Sequence, residues 1–397
     1  MPNFSIPNEK LNQAAAILQR EGIDCWLSLA AETRMNPDPA LDLILDLEMT
    51  WLSAFLVTAK DERIAIIGRF DAQPVKEMGG YSEVIAYDED LFPELLKLLE
   101  RLNPKTIALN YSENDGASDG LTHGQWLLLT RALAGTPYAE RLVSAEGIIR
   151  SLRGQKTPSE VERLRQAVRT TEAIIRQIGP RIKAGMSELE LYGMVQGLMQ
   201  AHGVEASWDP CPNVSAGPNT AVGHALPDGD VCLQPGQVVH MDLGVAKDGY
   251  VSDMQRVWYL PRPGEKGLPE PVQKAFDAVR GAVVAAAEVL RPGVEGWKVD
   301  QASREYIVKA GYPEYRHAVG HHLGRSVHDG AGLLGPLWPR YGKTSSYKVE
   351  ENNVFTLELG VLVPEYGFVG LEEDVLVKKN GLEWISDPQT EVIIVEG

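Results

Sequence analysis

Cysteine is almost absent from this 397-residue chain. The three that occur, Cys25, Cys211 and Cys232, are an odd number and none is spaced Cys-x-x-Cys. That excludes a disulfide framework and reads as reduced thiols in a cytoplasmic protein. Long apolar runs are missing too. The longest, such as LVTA after Phe55 or GAVVAAA around Val283, fall far short of the ~20 residues that span a bilayer. The opening MPNFSIPNEKLNQ lacks a basic stretch followed by an apolar core, so no secretion signal is expected. Positive charge is in deficit, with 38 Lys and Arg against 55 Asp and Glu, a formal net charge of −17. Such a chain is repelled by phosphate backbones and anionic membrane surfaces, which argues against nucleic-acid and membrane partners. No HExxH and no GxGxxG occurs. What remains is an ordinary soluble composition, 44% apolar and 23% charged, and the question of where the surplus carboxylates sit and whether any bind something.

The length suggests two or three domains at ~150 residues each. Residues 1–150 read as an α/β unit. Lys10–Arg20 has helical periodicity, Ile23–Ala30, Ala54–Ala59, Arg63–Gly68 and Thr106–Asn110 have strand length, and Leu91–Leu102 is an amphipathic helix. Alternating strands and helices predict a mixed or parallel sheet. The polar, basic segment Ser151–Lys156 leads to Thr157-Pro158-Ser159-Glu160, a capping-box pattern that opens a helix running to about Ile178. The boundary is placed near 145–155, leaving residues 151–397 as a second domain. That domain contains a repeat. Gly185 and Gly203 return 108 positions later as Gly293 and Gly311, each pair bracketing a helix and followed by a hairpin pattern. The expectation is an α/β domain with pseudo-symmetric halves, and ligand sites often lie between such halves.

Two hairpins carry acids in strands that otherwise look buried. Asp242 lies in VVHMDLGV and Asp253 in YVSDMQRVWYL, with Lys247-Asp248-Gly249-Tyr250 between them. If Asp248-Gly249 is a two-residue loop, Asp253 falls opposite Gly244 and shares a face with Asp242. An odd loop would put the two acids on opposite faces. Glu358 lies in VFTLELGV and Glu372 in FVGLEEDVLV. A three-residue loop Pro364-Glu365-Tyr366 would set them directly opposite each other, whereas a four-residue turn would not, unless a bulge intervened. Like charges on one buried face are costly without a cation. Four of the eight histidines, His317, His321, His322 and His328, fall within twelve residues. Alone they could be a solvated loop or core histidines. With two acid-bearing hairpins they point to a metal site. Carboxylates with an imidazole suit Mn, Fe, Co or Zn, and four carboxylates suit a pair of ions ~3.5–4 Å apart. Weaker matches fail on context. Gly116-Ala117-Ser118-Asp119-Gly120 fits G-x-S-x-G, but polar Tyr111–Asp115 separates it from the preceding strand. Gly342-Lys343-Thr344 lacks the P-loop's earlier glycine, since position 337 is Leu.

At these residues the sequence resembles the M24 metallopeptidases of the pita-bread fold, in the Xaa-Pro aminopeptidase, prolidase and creatinase-like branch. Arg153-x-x-Lys156 with Glu160 and Arg165-x-Ala167 is similar to the family's first catalytic-domain helix. Asp242, Asp253, His321, Glu358 and Glu372 match its metal ligands in order and with similar spacing. His224, in SAGPNTAVGHALPDGD, and His328 match its two further active-site histidines. The resemblance implies a creatinase-like N-terminal α/β domain, a pita-bread catalytic domain, and two divalent ions, manganese first, with zinc, cobalt or iron as alternatives. It implies hydrolysis of an Xaa-Pro bond in a small peptide by an ion-activated water. Glu358 would be both ligand and proton acceptor, and His224 and His328 would bind the carbonyl oxygen. It also implies a homodimer. The alternative is a metal-dependent hydrolase or lyase of a small molecule on the same fold. There are departures. The family's T-x-E-P-G reads Thr356-Leu357-Glu358-Leu359-Gly360, and Asp329 stands after His328 in place of Glu. The stretch from Asp329 to Lys348 is longer than in common relatives. Members acting on Xaa-Pro dipeptides usually have Arg where this chain has Gly370.

Overall fold

The computed structural model describes residues 4–218 and 226–395. The chain divides into two compact units, Met1–Ser159 and Glu160–Gly397.

In the first unit the apolar runs form a six-stranded mixed sheet. Cys25–Ala30 sits centrally, antiparallel to Ser53–Thr58 on one side and parallel to Ile107–Leu109 on the other. Arg63–Gly68 and Glu83–Tyr87 extend one edge, and Leu142–Ser144 the other. Helix Ser5–Glu21 packs Leu11, Ala14 and Leu18 against one core, which includes Trp26 and Phe55. Helices Phe92–Leu102 and His123–Leu133 supply Leu95, Leu99 and Leu129 to another, which includes Leu27 and Leu56. The basic segment from Ser151 is in part helical, since the helix Glu146–Gly154 runs into it. The helix's apolar residues Ile148, Ile149 and Leu152 share one face and are buried, which outweighs the polar residues between them. Ser118 of the G-x-S-x-G match is buried on a short 3₁₀ turn, its hydroxyl near Asp115, so no nucleophile elbow forms.

The second unit repeats one plan. Helices Pro158–Ile178 and Glu188–His202 precede the hairpin Gln237–Leu243/Met254–Leu260, and helices Glu270–Val289 and Gly296–Lys309 precede the hairpin Val354–Val363/Gly367–Lys378. Gly185 and Gly293 have φ +84° and +87°, and Gly203 and Gly311 have +66° and +92°. The 108-residue repeat therefore holds in backbone conformation as well as spacing, at positions where a side chain would be strained. The hairpins pair edge to edge in one sheet. Val239, Met241 and Leu243 pack with the first helix pair, and Phe355, Leu357 and Leu359 with the second. Alternation turns Asp242 and Glu358 to the other side of their strands. Among the described residues no helix is long and apolar enough to cross a membrane.

Candidate metal centre

The first hairpin turns through Asp248 and Gly249, with φ 50° and 76°, the paired left-handed conformations of a two-residue turn. Lys247 pairs with Tyr250, and further along Leu243 pairs with Met254 and Asp242 with Gln255. The register is continuous from the turn, so Asp253 lies one step away, opposite Gly244. Gly244 is required there, because a Cβ would lie 1.8 Å from the carbonyl oxygen of Ser252. The second hairpin has the three-residue loop: Val363 pairs with Gly367 and Glu358 with Glu372. The pair Gln255–Glu372 joins the hairpins. One row across four adjacent strands thus reads Glu358, Glu372, Gln255, Asp242. Asp253 is two residues from Gln255 and shares its face.

His321 comes from the two-residue strand Gly320–His321. Its backbone N–H donates to Thr356 Oγ1 at 3.2 Å, and the N–H of Glu358 donates to the Val319 carbonyl at 2.7 Å. Its Nδ1 faces the His322 carbonyl at 3.4 Å, which leaves Nε2 for a ligand. Nε2 lies 3.7 Å from Asp253 Oδ2, 3.8 Å from Glu358 Oε1 and 3.6 Å from Glu372 Oε1. The side chains of Glu372, Asp253, His321 and Glu358 are 2%, 9%, 10% and 18% exposed, so Glu358 is the most accessible of these four. His328 is exposed, its ring edge-on to His321 with centroids 4.5 Å apart. The other two histidines of the cluster have other partners: the His322 ring packs tilted against Phe355, and His317 lies by Tyr315. His224 falls outside the described residues.

Electrostatically the cluster is incomplete as a protein-only structure. Burial raises the pKa values of Asp242, Asp253 and Glu358 well above the usual carboxylate range, and the charge of Glu372 adds to the rise in each. Oδ1 of Asp242, Oδ1 of Asp253 and Oε1 of Glu372 are buried without a hydrogen-bond partner. Buried carboxylate oxygens seldom go unpaired. Asp253, His321 and Glu372 can each offer a ligand atom, all within 4.8 Å of one another. Hard oxygens with one imidazole nitrogen, orphaned and convergent, fit a divalent cation.

Several residues that hold this arrangement carried no signal in the sequence. Gln255 lies within the row, and its amide nitrogen donates to Glu358 Oε2 at 3.0 Å and to Glu372 Oε2 at 2.9 Å. The Asp253 N–H donates to Asp374 Oδ2 at 3.3 Å. Buried Arg256 donates to the Glu372 carbonyl and the Glu373 carboxylate, each at 2.9 Å, fixing the strand that carries Glu372. Only the alternation of the strands could have placed Gln255, since it shares the parity of Asp253.

Comparison with known proteins agrees with this geometry. The model of metallopeptidase family M24 matches residues 162–379. The Xaa-Pro dipeptidase of Pyrococcus furiosus is 28% identical over 250 residues, covering 62% of this chain and 67% of its own. Among solved structures, the Xaa-Pro dipeptidase from Bacillus anthracis superposes with a TM-score of 0.74 at 23% identity, covering 98% of this chain and 100% of its own. The X-Pro aminopeptidase from Thermotoga maritima gives 0.70 at 22% identity, covering 97% and 99%. The fold is the mixed α/β pita-bread architecture.

Proposed function

The chain belongs to metallopeptidase family M24, and from that premise we propose that it hydrolyses Xaa-Pro bonds in small peptides at the carboxylate row. The observation that carries this reading is the convergence of Asp242, Asp253, Glu358 and Glu372 with His321, three of whose carboxylates hold a buried oxygen without a partner. Those five residues would hold two divalent ions, manganese first. Ions bound there would supply Lewis acidity, lowering the pKa of water and polarising the scissile carbonyl.

The chain's own groups do the rest. Glu358, at 18% more open than Asp253 or Glu372, takes the proton of the attacking water. His328, exposed beside His321, donates to the carbonyl oxygen as charge develops, and His224 is its proposed companion. The buried floor of Glu372 and Asp253 keeps bulk water from the back of the site. Two further parts of the proposal rest on other supports. A cytoplasmic setting draws on three unpaired cysteines. A homodimer draws on the family resemblance.

The test is a peptide panel on Mn²⁺-loaded protein: Xaa-Pro dipeptides, longer Xaa-Pro peptides and matched peptides without proline. Only Xaa-Pro bonds should be cut, and chelation should abolish the activity until Mn²⁺ is returned. Asp253→Ala or Glu372→Ala should lower kcat/KM on the order of 10³-fold or more, since several kcal/mol of transition-state stabilisation is at stake. Cleavage of no peptide sinks the peptidase reading and favours a small-molecule substrate. Full activity in either variant sinks the ligand assignment.

A further inference from the structure

We infer that Gln255 is a positioning residue that clamps the two glutamates for metal binding, and that position 370 is glycine because the clamp fills its side-chain space. The inference rests on the metal-site reading above.

Gln255 is buried in a row of acids, where a neutral side chain neither cancels charge nor adds apolar packing. Its amide orientation follows from its neighbours, because an amide oxygen turned toward two carboxylates would be repelled. The nitrogen therefore faces Glu358 Oε2 and Glu372 Oε2 and spends its two N–H groups on them. The amide oxygen lies 2.9 Å from His240 Nε2, which assigns the proton to that ring nitrogen. The His240 ring is held in turn edge-on against Phe368, centroids 4.9 Å apart. A chain of contacts thus runs Phe368, His240, Gln255, then both glutamates. On each glutamate one oxygen is clamped. The other, Oε1, points toward His321 Nε2, at 3.8 Å from Glu358 and 3.6 Å from Glu372.

Gly370 sits against this chain, two residues before Glu372. A Cβ there would lie 2.6 Å from Phe368 Cε1, 2.7 Å from Gln255 Oε1 and 2.8 Å from His240 Nε2. A side chain at 370 therefore fits only if Phe368, Gln255 and His240 shift, which disturbs the clamp. The clamp's effect is pre-organisation. It holds two mutually repelling carboxylates together before an ion arrives, so the ion need not gather them. Outer hydrogen bonds of this kind typically change metal affinity by about 10–100-fold.

The experiment is Mn²⁺ titration of chelated full-length protein by calorimetry, with kcat and KM measured alongside. Gln255→Met keeps the length and removes the donors. Its Mn²⁺ Kd should rise about 10–100-fold. Its kcat at limiting metal should fall, with KM for the peptide unchanged. Its metal-free Tm should fall modestly, because two hydrogen bonds to buried carboxylates are lost. Gly370→Ala should weaken Mn²⁺ binding in the same direction, and the double variant should be no weaker than Gln255→Met alone. A variant that binds Mn²⁺ as tightly as the parent overturns the clamp. So do additive losses in the double variant, or a lower metal-free Tm with unchanged Kd, which would mark Gln255 as packing only. If Gln255→Met does not fold, Gln255→Asn, too short to span both glutamates, takes its place with the same expectation. A parent that takes up no Mn²⁺ overturns the metal reading itself, and the two failures are told apart by which protein fails to bind.

Discussion

Asp242, Asp253 and Glu358 sit where a carboxylate prefers to be neutral, because burial and the nearby Glu372 charge raise their pKa values. The sign of the consequence is fixed. A folded-state pKa above the unfolded value contributes stability that is whole below the unfolded pKa, about 4 for these groups. It is lost as pH rises toward the raised value, because only the unfolded chain ionises freely. Metal-free protein should therefore lose stability progressively as pH rises above about 4. The urea midpoint of the parent should fall more steeply over that range than that of Asp242→Asn/Glu358→Gln, in which two of the groups cannot ionise. Equal slopes would show that these carboxylates are not the source. Calcium-like surface sites would behave otherwise, since exposed acids bind ions without first losing protons; here Mn²⁺ binding should release protons and tighten with pH. His328 makes a separate claim at this scale. It touches the rim and is not among the metal ligands, so His328→Ala should cut kcat roughly 10²–10³-fold, the usual cost of an oxyanion donor, with Mn²⁺ affinity unchanged. Weakened metal binding would move His328 from the substrate side to the metal side.

The elements show why so much of the site was legible in the sequence and why part of it was not. Side chains alternate along a strand, so loop length alone decides whether two acids on a hairpin share a face. Asp248-Gly249 announces a two-residue turn, and the observed register follows from it. The pairing of Glu358 with Glu372 needs the odd loop Pro364-Glu365-Tyr366, where Glu365 takes φ 70°. Gln255 obeys the same parity, but glutamine has no chemistry of its own to draw attention. Its role depends on two strands brought together from the two hairpins, a pairing that local sequence does not encode. The helix Glu146–Gly154 was hidden for a different reason: its buried face is only three large apolar residues wide, and Arg153 is buried along with them. Two changes test the register argument. Inserting one glycine after Glu365 makes the second loop even. It should abolish tight Mn²⁺ binding while far-UV circular dichroism stays native-like, because one glutamate must leave the inner face. Gly244→Ala attacks the first hairpin, where the new Cβ meets the Ser252 carbonyl oxygen at 1.8 Å. It should cost about 3 kcal/mol in urea unfolding, the upper end of ordinary single substitutions. A loss within about 0.5 kcal/mol, the size of a surface change, would mean the strands separate there freely.

At the scale of the whole molecule the excess of acid acquires a location. The chain carries a formal charge of −17, and four of those charges belong to one inward-facing group. Two divalent ions would bring the total to about −13. Those ions would also join the two halves of the catalytic unit, since Asp242 and Asp253 come from the first hairpin and Glu358 and Glu372 from the second. Each half has its own helix pair, and the core around the second pair also takes in Val238, Val257 and Tyr259 of the first hairpin. The halves share a sheet through the junction at which Gln255 meets Glu372. Ligands drawn from both halves make metal binding a brace across that junction. Only the folded unit assembles them, so bound ions stabilise it by mass action, about 2.7 kcal/mol for one ion at 100 times its Kd. The residues from Met1 to Ser159 contribute no proposed ligand. In calorimetric unfolding of the full chain, Mn²⁺ should therefore raise the transition of the Glu160–Gly397 unit and leave that of Met1–Ser159 in place. The rise should be larger at pH 8 than at pH 6, because the metal-free cluster is the state that ionisation penalises. An equal rise in both transitions would place the ions elsewhere. No rise in either would leave the carboxylate row without the cation that its unpaired oxygens require.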